Sequence, residues 1–457
     1  MKAEVLILLV TAVLLIQPGK TKAEQNQTGE TGGLQVAVFD MDVTPPVGSR
    51  LTYDVEKSKW DLGLRARGIV LLGAGKPVVL CSVDWIGIAN EGYDAFRKAL
   101  AEGAGTIPER VDLHTVHQHD APICDFSSER ILKKARLPLS CYDGNFARDV
   151  LRRLRKVVAE SLAGAQEITQ IGTGEAKVYQ VASNRRILGE DGKVKATRYT
   201  TCKDSALRAE PEGLIDPVVT EISFWNGNRP VAVLSYYAVH PQSYYRTGAA
   251  NPDFPGIARF MRQLAVPEAL HIHFNGAGGD VGAGKYNDGR KENRLILAER
   301  LADGMKRAWE STRKETVSPD SVVWSVIPVS LPPSEAIKEP GKWIKKADPV
   351  FLANNLFKTA WVGRLKEGKK TDITCLKIGS VRILGLPGEP FVAYQLAAKA
   401  ERPDLTVALA GYGDYAPGYI ATPEAYRQGG YETGVASGVS PDAYNVLMNA
   451  IRKLLDK

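Results

Sequence analysis

The sequence lacks the short motifs that mark several common classes of hydrolase. It contains no C-x-x-C pair, no H-E-x-x-H segment and no G-x-S-x-G turn. These absences disfavour, in that order, a zinc site built from cysteine thiolates, the common zinc-protease helix and a serine hydrolase with its nucleophile on a sharp turn. From residue 34 onward there is also no internal repeat, no second linker and no low-complexity tract. This part of the chain therefore reads as one globular domain.

Long apolar runs are equally scarce. One run, residues 5–16, follows Lys2 and precedes small residues near Ala23. This layout is typical of a secretory signal peptide, so we expect residues 1–23 to be removed and the mature chain to be secreted or periplasmic. An uncleaved anchor is the alternative, although the run is short for a membrane span. Residues 24–33 read as a polar, flexible linker.

Strongly basic patches are also missing, although the net charge is +7. The densest basic segments, 133–136, 152–156 and 366–370, lie far apart in the sequence and have no interleaved aromatic residues. This distribution disfavours a nucleic-acid partner, which needs a continuous basic face. Attraction to an anionic surface, including peripheral contact with a membrane, remains an open alternative.

Cysteine is rare, and its count of five is odd, so at least one thiol is unpaired within the chain. Cys124 and Cys141 bracket a loop beside a histidine-rich segment. In an oxidising compartment they could form a disulfide, and two free thiols are the alternative.

The pattern of apolar residues predicts a single large mixed α/β domain over residues 34–457, with sheets flanked by helices. Runs rich in β-branched residues predict strands over residues 33–43, 66–73, 76–88, 111–117, 218–225, 229–240, 269–276, 375–388 and 406–413. Helical patterns cover residues 90–104, 142–164, 293–311 and 390–401, with Asp143 as a possible cap of the second helix. Several strands end in Gly, His, Asp or Glu, so we expect the functional site at strand ends and loops.

Three of the six histidines lie in the segment VDLHTVHQHDAP. If this segment is extended, His117 and His119 project to one face and His114 to the other. His240 ends another strand, and Glu389 lies in the turn LPGEP. Two histidines and a glutamate with an open position form a recurring catalytic zinc site. On these residues alone, His240 could equally be a structural histidine at a strand end, and Glu389 a charge at a helix N-terminus.

Ordered segments of the chain, between about residues 36 and 432, resemble the catalytic domain of neutral/alkaline, non-lysosomal ceramidases. They read DMDVTPPVG, LRARGIVL, PVVLCSVDWIGI, VHQHDAP, SNRR, AVHPQS, NPDFPG, GAGGDVG, LPGEP and YGDYAPGYIATPEAYRQGGYE. These ceramidases are zinc-dependent amidohydrolases. The resemblance therefore implies an exported enzyme that cleaves the amide (N-acyl) bond of a small-molecule or lipid substrate by means of zinc-activated water, with ceramide or another N-acyl lipid as the implied substrate.

Position by position, the resemblance implies that Zn²⁺ is bound by His117, His240, Glu389 and Tyr419. It places His119 beside the metal as a substrate-binding or proton-transfer group, and Arg185 as a cation that faces the site. It makes Tyr431 a hydrogen-bond donor to the oxyanion. Asp280 would orient a water or shape its Gly-rich loop, and a bystander role stays open.

The sequence departs from the ceramidase pattern in three places. Gly282 stands where the family loop carries a serine, so direct attack by metal-activated water is the expected substitute. Asp120 and Ala121 follow His119 where the family has Ser-Gly, and no counterpart of the C-terminal immunoglobulin-like domain is found. Two alternatives therefore stay open: a zinc esterase or amidase that acts on acylated sugars or other extracellular polymers, and a non-catalytic binding protein. His114, His271 and His273 are expected to be structural.

Overall fold

The computed structural model describes residues 32–60, 62–337 and 349–456. The expected signal peptide and most of the expected linker lie outside these residues. Residues 33–457 form one compact unit. No helix in the described part of the chain is long and apolar enough to cross a membrane.

The described residues form ten α-helices and several mixed sheets, which confirms the prediction of a mixed α/β fold. The helices are α1 (Asn90–Ala104), α2 (Phe126–Ala135), α3 (Asn145–Ser161), α4 (Ser205–Ala209), α5 (Asp253–Ala265), α6 (Asn293–Glu310), α7 (Pro349–Lys366), α8 (Val392–Glu401), α9 (Pro423–Gln428) and α10 (Ala443–Leu455).

The strands are β1 (Gln35–Asp42), β2 (Arg65–Leu72), β3 (Val78–Val83), β4 (Gly87–Ile88), β5 (Val111–Thr115), β6 (Ile123–Cys124), β7 (Gln166–Glu167), β8 (Gln170–Lys177), β9 (Ser183–Asn184), β10 (Arg186–Leu188), β11 (Val194–Thr197), β12 (Val218–Asn226), β13 (Arg229–Tyr237), β14 (Leu270–Asn275), β15 (Val281–Gly282), β16 (Arg313–Thr316), β17 (Val322–Val329), β18 (Thr371–Ile378), β19 (Val381–Gly385), β20 (Glu389–Pro390), β21 (Thr406–Ala410) and β22 (Tyr419–Ile420).

Three larger sheets make up the framework, with strand orders β5-β3-β2-β1-β7, β14-β13-β12-β8-β16 and β17-β18-β19-β21. They share one apolar core, to which Ile69, Ile222 and Ile383 each contribute from a different sheet. The other face of each sheet packs against helices: α1 and α3 on the first, α5 and α6 on the second, α8 and α10 on the third. Strands buried on both faces, such as β3, read as the continuous apolar runs seen in the sequence.

Each of these sheets contains a parallel pair, namely β3 with β5, β13 with β14 and β19 with β21. The two carboxyl ends of a parallel pair lie at the same edge of the sheet, and loops that follow them are a usual place for binding sites. Each of the three sheets therefore offers one such edge.

Two local expectations are corrected by the structure. Helix α3 begins at Asn145 rather than at residue 142, because residues 140–142 form a separate 3₁₀ turn; Asp143 accepts a hydrogen bond from the N–H of Asn145 (3.0 Å) but is not the N-cap. The five cysteines, all within the described residues, are buried free thiols, so Cys124 and Cys141 do not form a disulfide.

Candidate metal centre

The predicted metal ligands follow the carboxyl ends of strands in three different sheets. His117 comes after β5, His240 after β13 and Glu389 after β19. All three side chains are buried. They line one cavity of about 440 Å³ together with His119, Tyr419 and Tyr431. The fold thus gathers six predicted site residues that are far apart in sequence.

His117 and His119 face this cavity for a reason that differs from the predicted one. Strand β5 ends at Thr115, so the extended alternation does not reach either histidine. His117 instead has φ +72°, a left-handed conformation that residues other than glycine rarely adopt. The turn brings the two rings to a centroid distance of 5.1 Å. His114, inside the strand, is bound to Gly411 and Asp112 and is structural, as expected.

The ring of His117 is oriented by backbone carbonyls. Its main-chain N–H donates to the carbonyl of Trp85 (3.0 Å), and ring Nδ1 lies 2.5 Å from the carbonyl oxygen of Ile86. Because a carbonyl oxygen only accepts, Nδ1 carries a proton, and Nε2 is the ring nitrogen directed at Glu389 in the cavity. Metal-binding histidines are usually held in this way.

His119 and His240 are neutral in their surroundings. Burial lowers the pKa of both imidazoles well below the usual value, and the positive charges of neighbouring groups, including Arg185, lower it further. One ring nitrogen from each of His117, His119 and His240 lies within 4.8 Å of the others. Three imidazoles at this spacing could bind a metal ion together.

Glu389 adds a carboxylate to the histidines. Its Oε1 accepts a hydrogen bond from the hydroxyl of Tyr415 (2.9 Å), while Oε2 lies 3.4 Å from Nε2 of His117 and 3.9 Å from Nδ1 of His240. Burial alone would raise the pKa of Glu389, but His117, Tyr415 and Arg185 more than offset this effect. The pKa therefore lies below its ordinary value, and the side chain is ionised.

The atoms that face one another across this cluster have no hydrogen-bond partner among the described residues. They are Nδ1 of His119, Nδ1 of His240 and Oε2 of Glu389. Buried polar atoms without partners are costly, and those in a native structure are commonly explained by a bound water or ion. Neutral imidazoles and one carboxylate are the donors that Zn²⁺ prefers. The residues present therefore fit a bound metal ion.

Tyr419 and Tyr431 form the next layer of the cavity. Their hydroxyl oxygens are 3.4 Å apart, and the guanidinium carbon of Arg185 lies 5.4 Å from the centre of each ring. Strand β22 pairs with β20 in parallel, which places Tyr419 directly opposite Glu389. Burial raises the pKa of Tyr431 to about 12 and that of Tyr419 well above its usual value, so both are neutral phenols in these surroundings.

Arg185 lies behind the two tyrosines, and Asp280 lies farther from the cavity. Arg185 is fully enclosed and pairs with the buried Glu432, its Nε being 3.7 Å from Oε1.

Asp280 does not line the cavity, and its two oxygens accept from the N–H of Val392 (2.8 Å) and the side chain of Asn184 (2.9 Å). These contacts favour the role in which Asp280 shapes its loop.

Gly282 has room for a side chain. A Cβ there would meet the aliphatic stem of Arg185 at 3.4 Å and the hydroxyl of Thr200 at 3.7 Å, which are ordinary contact distances. Packing therefore does not require glycine at the position where the ceramidase pattern has serine.

Twelve further residues that line the cavity were not predicted from the sequence. Half of them are aromatic or cationic, namely Tyr53, Tyr245, Arg246, Phe357, Lys358 and Tyr415. Tyr415 lies in the quoted segment YGDYAPGY, so its position beside Tyr419 was a usable signal. The others come from loops and from α7, where no local pattern distinguishes a lining residue from an ordinary surface or packing residue.

The two remaining histidines lie outside the cluster, as expected. In β14, Nδ1 of His273 lies 3.0 Å from the hydroxyl of Ser235, and His271 is buried next to Arg262 and Arg67. Burial, followed by the charges of neighbouring arginines, lowers the pKa of each ring to about 3. Both are neutral residues of the second sheet.

The similarity of this chain to known proteins is found by comparing structures and not by comparing sequences. No protein-family model matches the chain, and no curated protein matches its sequence. The structure of neutral ceramidase from Pseudomonas aeruginosa is similar, with a TM-score of 0.68 at 16% identity, covering 92% of this chain and 74% of that chain. A structure of ceramidase complexed with C2 gives a TM-score of 0.66 at 15% identity with the same coverage. The chain therefore has the fold of neutral ceramidase structures.

Proposed function

We propose that this protein is an exported zinc-dependent hydrolase that cleaves an amide bond of an N-acyl substrate. The observation that carries the proposal is the buried cluster of His117, His119, His240 and Glu389, in a fold shared with neutral ceramidase structures. His119, His240 and Glu389 each have a buried polar atom without a hydrogen-bond partner. Export is proposed from the signal-peptide pattern of residues 1–23.

The ligands we assign are His117, His240 and Glu389, with Tyr419 as a fourth. When bound, Zn²⁺ supplies Lewis acidity, which makes water a nucleophile near neutral pH and polarises the substrate carbonyl. The carbonyl of Ile86 and the hydroxyl of Tyr415 hold two of the ligands in orientation, and such outer partners tune metal sites.

The chain's own groups then manage protons and charge. His119 is neutral and has a free Nδ1, so it is the candidate to accept a proton from the attacking water and pass it to the leaving amine. The hydroxyl of Tyr431 donates a hydrogen bond to the oxygen that becomes negative as the carbonyl is attacked. Arg185, over the face of the same ring, adds positive potential at that point.

The substrate class is proposed from the neutral ceramidase likeness. N-acyl compounds, lipids among them, are the first candidates, and presentation from a membrane surface would agree with the positive net charge. Acylated sugars and other extracellular polymers are tested beside them, because the donor cluster alone does not distinguish an amide from an ester.

The test is the metal content of the purified mature protein, with hydrolysis of N-acyl amides, acyl esters and acetylated sugars measured on the same samples. We expect about one zinc per chain. In His117→Gln and Glu389→Gln, both zinc and amidase activity should fall, the activity by more than about 100-fold, which exceeds the loss typical of residues that only orient ligands.

Two controls make the result decisive. His271→Gln changes a buried histidine outside the cluster and should keep zinc and activity, while circular dichroism confirms that each variant is folded. Zinc without turnover of any substrate would favour a binding protein. A folded wild-type chain that takes up no zinc after reconstitution would refute the proposal.

A further inference from the structure

We infer that Arg246 binds an anionic group of the substrate, so that the preferred substrates are N-acyl compounds bearing a carboxylate or a similar anion. This inference rests on the proposed function, because it concerns the same cavity. Arg246 was not among the site residues predicted from the sequence.

Arg246 lies at the mouth of the cavity, one aromatic ring away from the metal cluster. Its guanidinium carbon is 5.3 Å from the centre of the Tyr245 ring and 5.9 Å from that of Tyr53. Both rings in turn lie against His119, with centroid distances of 5.6 and 5.7 Å. A substrate whose reacting bond lies beside His119 would therefore extend past these tyrosines to reach Arg246.

The backbone at Arg246 is held in place by a buried carboxylate. Its φ is +63°, a left-handed value that is uncommon outside glycine and is often found at functional sites. The main-chain N–H donates to Oδ1 of Asp120 (2.7 Å), and the hydroxyl of Thr247 donates to Oδ2 (2.7 Å). Asp120 is 3% exposed and directly follows His119 in the chain. The loop that carries Arg246 is thus anchored to the segment that carries the catalytic histidine.

The side chain of Arg246, in contrast, has no acidic partner. Within the described residues its guanidinium makes no ion pair, and only its main-chain N–H forms a hydrogen bond. A guanidinium that stacks on tyrosine rings keeps its N–H groups free along the edge, where they match the two oxygens of a carboxylate. The exposed guanidinium of Arg246 is therefore available to bind an anion.

The charge of the cavity favours the same ligand. Among its lining residues Arg246 is cationic, and Glu389 is the carboxylate assigned to the metal. Burial lowers the pKa of Lys358 to about 7, so its charge is only partial near neutral pH. Lys358 Nζ already donates to the carbonyls of Val435 (2.6 Å) and Ala436 (3.2 Å). This leaves Arg246 as the lining cation without an acceptor in the described structure. A cation without an acceptor at a cavity attracts anionic substrates and orients them.

The experiment compares substrates that differ only in charge. One pair is N-octanoylglycine and N-octanoylglycinamide, with the anion on the amine side; the second is the mono-N-butylamide of adipic acid and its carboxamide analogue, with the anion on the acyl side. We expect kcat/KM to be at least about 10-fold higher for the anionic member of one pair, the scale of a charge-assisted hydrogen bond. Arg246→Gln should remove this preference by slowing only the anionic substrate, and Arg246→Lys should keep part of it.

The control is Arg313→Gln, which removes an exposed arginine from β16 at a sheet edge and should leave the preference intact. Equal turnover of charged and neutral members in wild type, or an equal loss for both in Arg246→Gln, would overturn the inference while leaving the proposed hydrolase in place. If Arg246 affects turnover only when the substrate is presented in anionic vesicles, Arg246 binds a membrane surface rather than the substrate, and the inference is overturned as well.

A binding measurement keeps the two proposals separate. Octanesulfonylglycine and octanesulfonylglycinamide have the same chain but resist hydrolysis, so their affinities can be measured by calorimetry whether or not the protein turns over any amide. Binding of the anionic sulfonamide at least about 10-fold more tightly, lost in Arg246→Gln, would support the anion site even if hydrolysis failed. No difference in affinity in wild type would refute it.

Discussion

At the scale of single residues, the environment of each histidine decides its role better than its sequence context. All six imidazoles are buried. An unpartnered nitrogen is not distinctive in itself, because His271 and His273 also have a free Nε2. Only His117, His119 and His240 bring ring nitrogens within 4.8 Å of one another. The clustering of the imidazoles, rather than their burial, therefore marks the candidate metal centre.

The two glycines at positions 282 and 284 allow a test of packing beside the site. A Cβ at Gly282 meets its nearest neighbour at 3.4 Å, whereas a Cβ at Gly284 would lie 2.2 Å from the backbone carbonyl oxygen of Tyr199. We expect Gly282→Ala to change the free energy of unfolding by less than about 1 kcal/mol and Gly284→Ala to lower it by more than about 2 kcal/mol. Urea denaturation measures both, and equal losses would contradict the geometry.

Glu221, which lies outside the histidine cluster, should make the free energy of unfolding depend on pH. It lies on β12 with 2% exposure, and burial raises its pKa from 4.5 to about 8, with the charge of Arg262 offsetting only part of the effect. Between these two values the folded state keeps the proton that the unfolded state releases. Stability from this group is therefore full below pH 4.5 and is lost as the pH rises towards 8.

Glu221→Gln should remove this loss. Relative to wild type, its free energy of unfolding should rise between pH 5 and 8, by about 1.4 kcal/mol for each unit that separates the two pKa values, and then level off. Glu299→Gln, on the exposed face of α6, is the control and should follow wild type at every pH. A constant difference between Glu221→Gln and wild type across this range would show that Glu221 titrates normally.

At the scale of elements, the sequence predicted the strands that carry the site better than those at the margins. The sequences of β3, β5, β13 and β19 are apolar and are bounded by polar turns, so both the apolar pattern and the turn residues indicate a strand. Strand β8 was missed because its sequence, QIGTGEAK, is rich in glycine. Strand β17, VVWSVIPV, was missed because it contains a proline, which is typical of an edge strand and weakens a strand prediction. Helix α7 was also missed, because its apolar residues are not confined to one face and its sequence therefore lacks a clear helical period.

The positions of the site residues were predictable only in part. Strand ends identified the correct loops, and the family resemblance identified six residues that line the cavity. The inward turn at His117 was not predictable, because its left-handed φ depends on the carbonyls of Trp85 and Ile86 in another loop. Arg246 was missed because its proposed role depends on Asp120 and Tyr53, which are distant in sequence, as well as on the adjacent Tyr245.

The pairing of β20 with β22 is the element that sets Glu389 against Tyr419, and it depends on Gly388. This glycine has φ +59°, and a Cβ would lie 2.5 Å from the carbonyl oxygen of Gly418. Gly388→Ala should push the two strands apart and lower zinc affinity by at least about 10-fold, as loss of ligand orientation does. Competition with a chelator of known affinity measures this change.

Gly368 provides the matched control for that variant. Its φ is also positive, at +85°, but a Cβ there would meet no atom within 4 Å. Gly368→Ala should therefore show the backbone strain of about 1 kcal/mol without any change in zinc affinity. An equal loss of affinity in both variants would mean that strain, not the separation of β20 from β22, is responsible.

At the scale of the whole molecule, the proposed metal centre lies where three sheets meet. His117, His240 and Glu389 each follow a strand of the parallel pair in a different sheet, Tyr419 follows the other strand of the third pair, and the sheets share a single core. No sheet can hold the ion alone, so the ligands are in place only when all three sheets are packed together. A bound ion should therefore stabilise the folded domain as one unit rather than a local segment.

This arrangement predicts that zinc removal lowers the melting temperature of the entire domain in a single transition. Binding to the folded state alone adds about 4 kcal/mol when free zinc is a thousandfold above its Kd, which corresponds to a shift of about 4 °C for a domain of this size. Differential scanning calorimetry of chelated and zinc-loaded protein measures the shift. Glu389→Gln should melt at one temperature with or without zinc, while Glu299→Gln should respond as wild type does. A separate low-temperature transition after chelation would show that zinc stabilises only its own loops, and the three sheets would then fold independently of the centre.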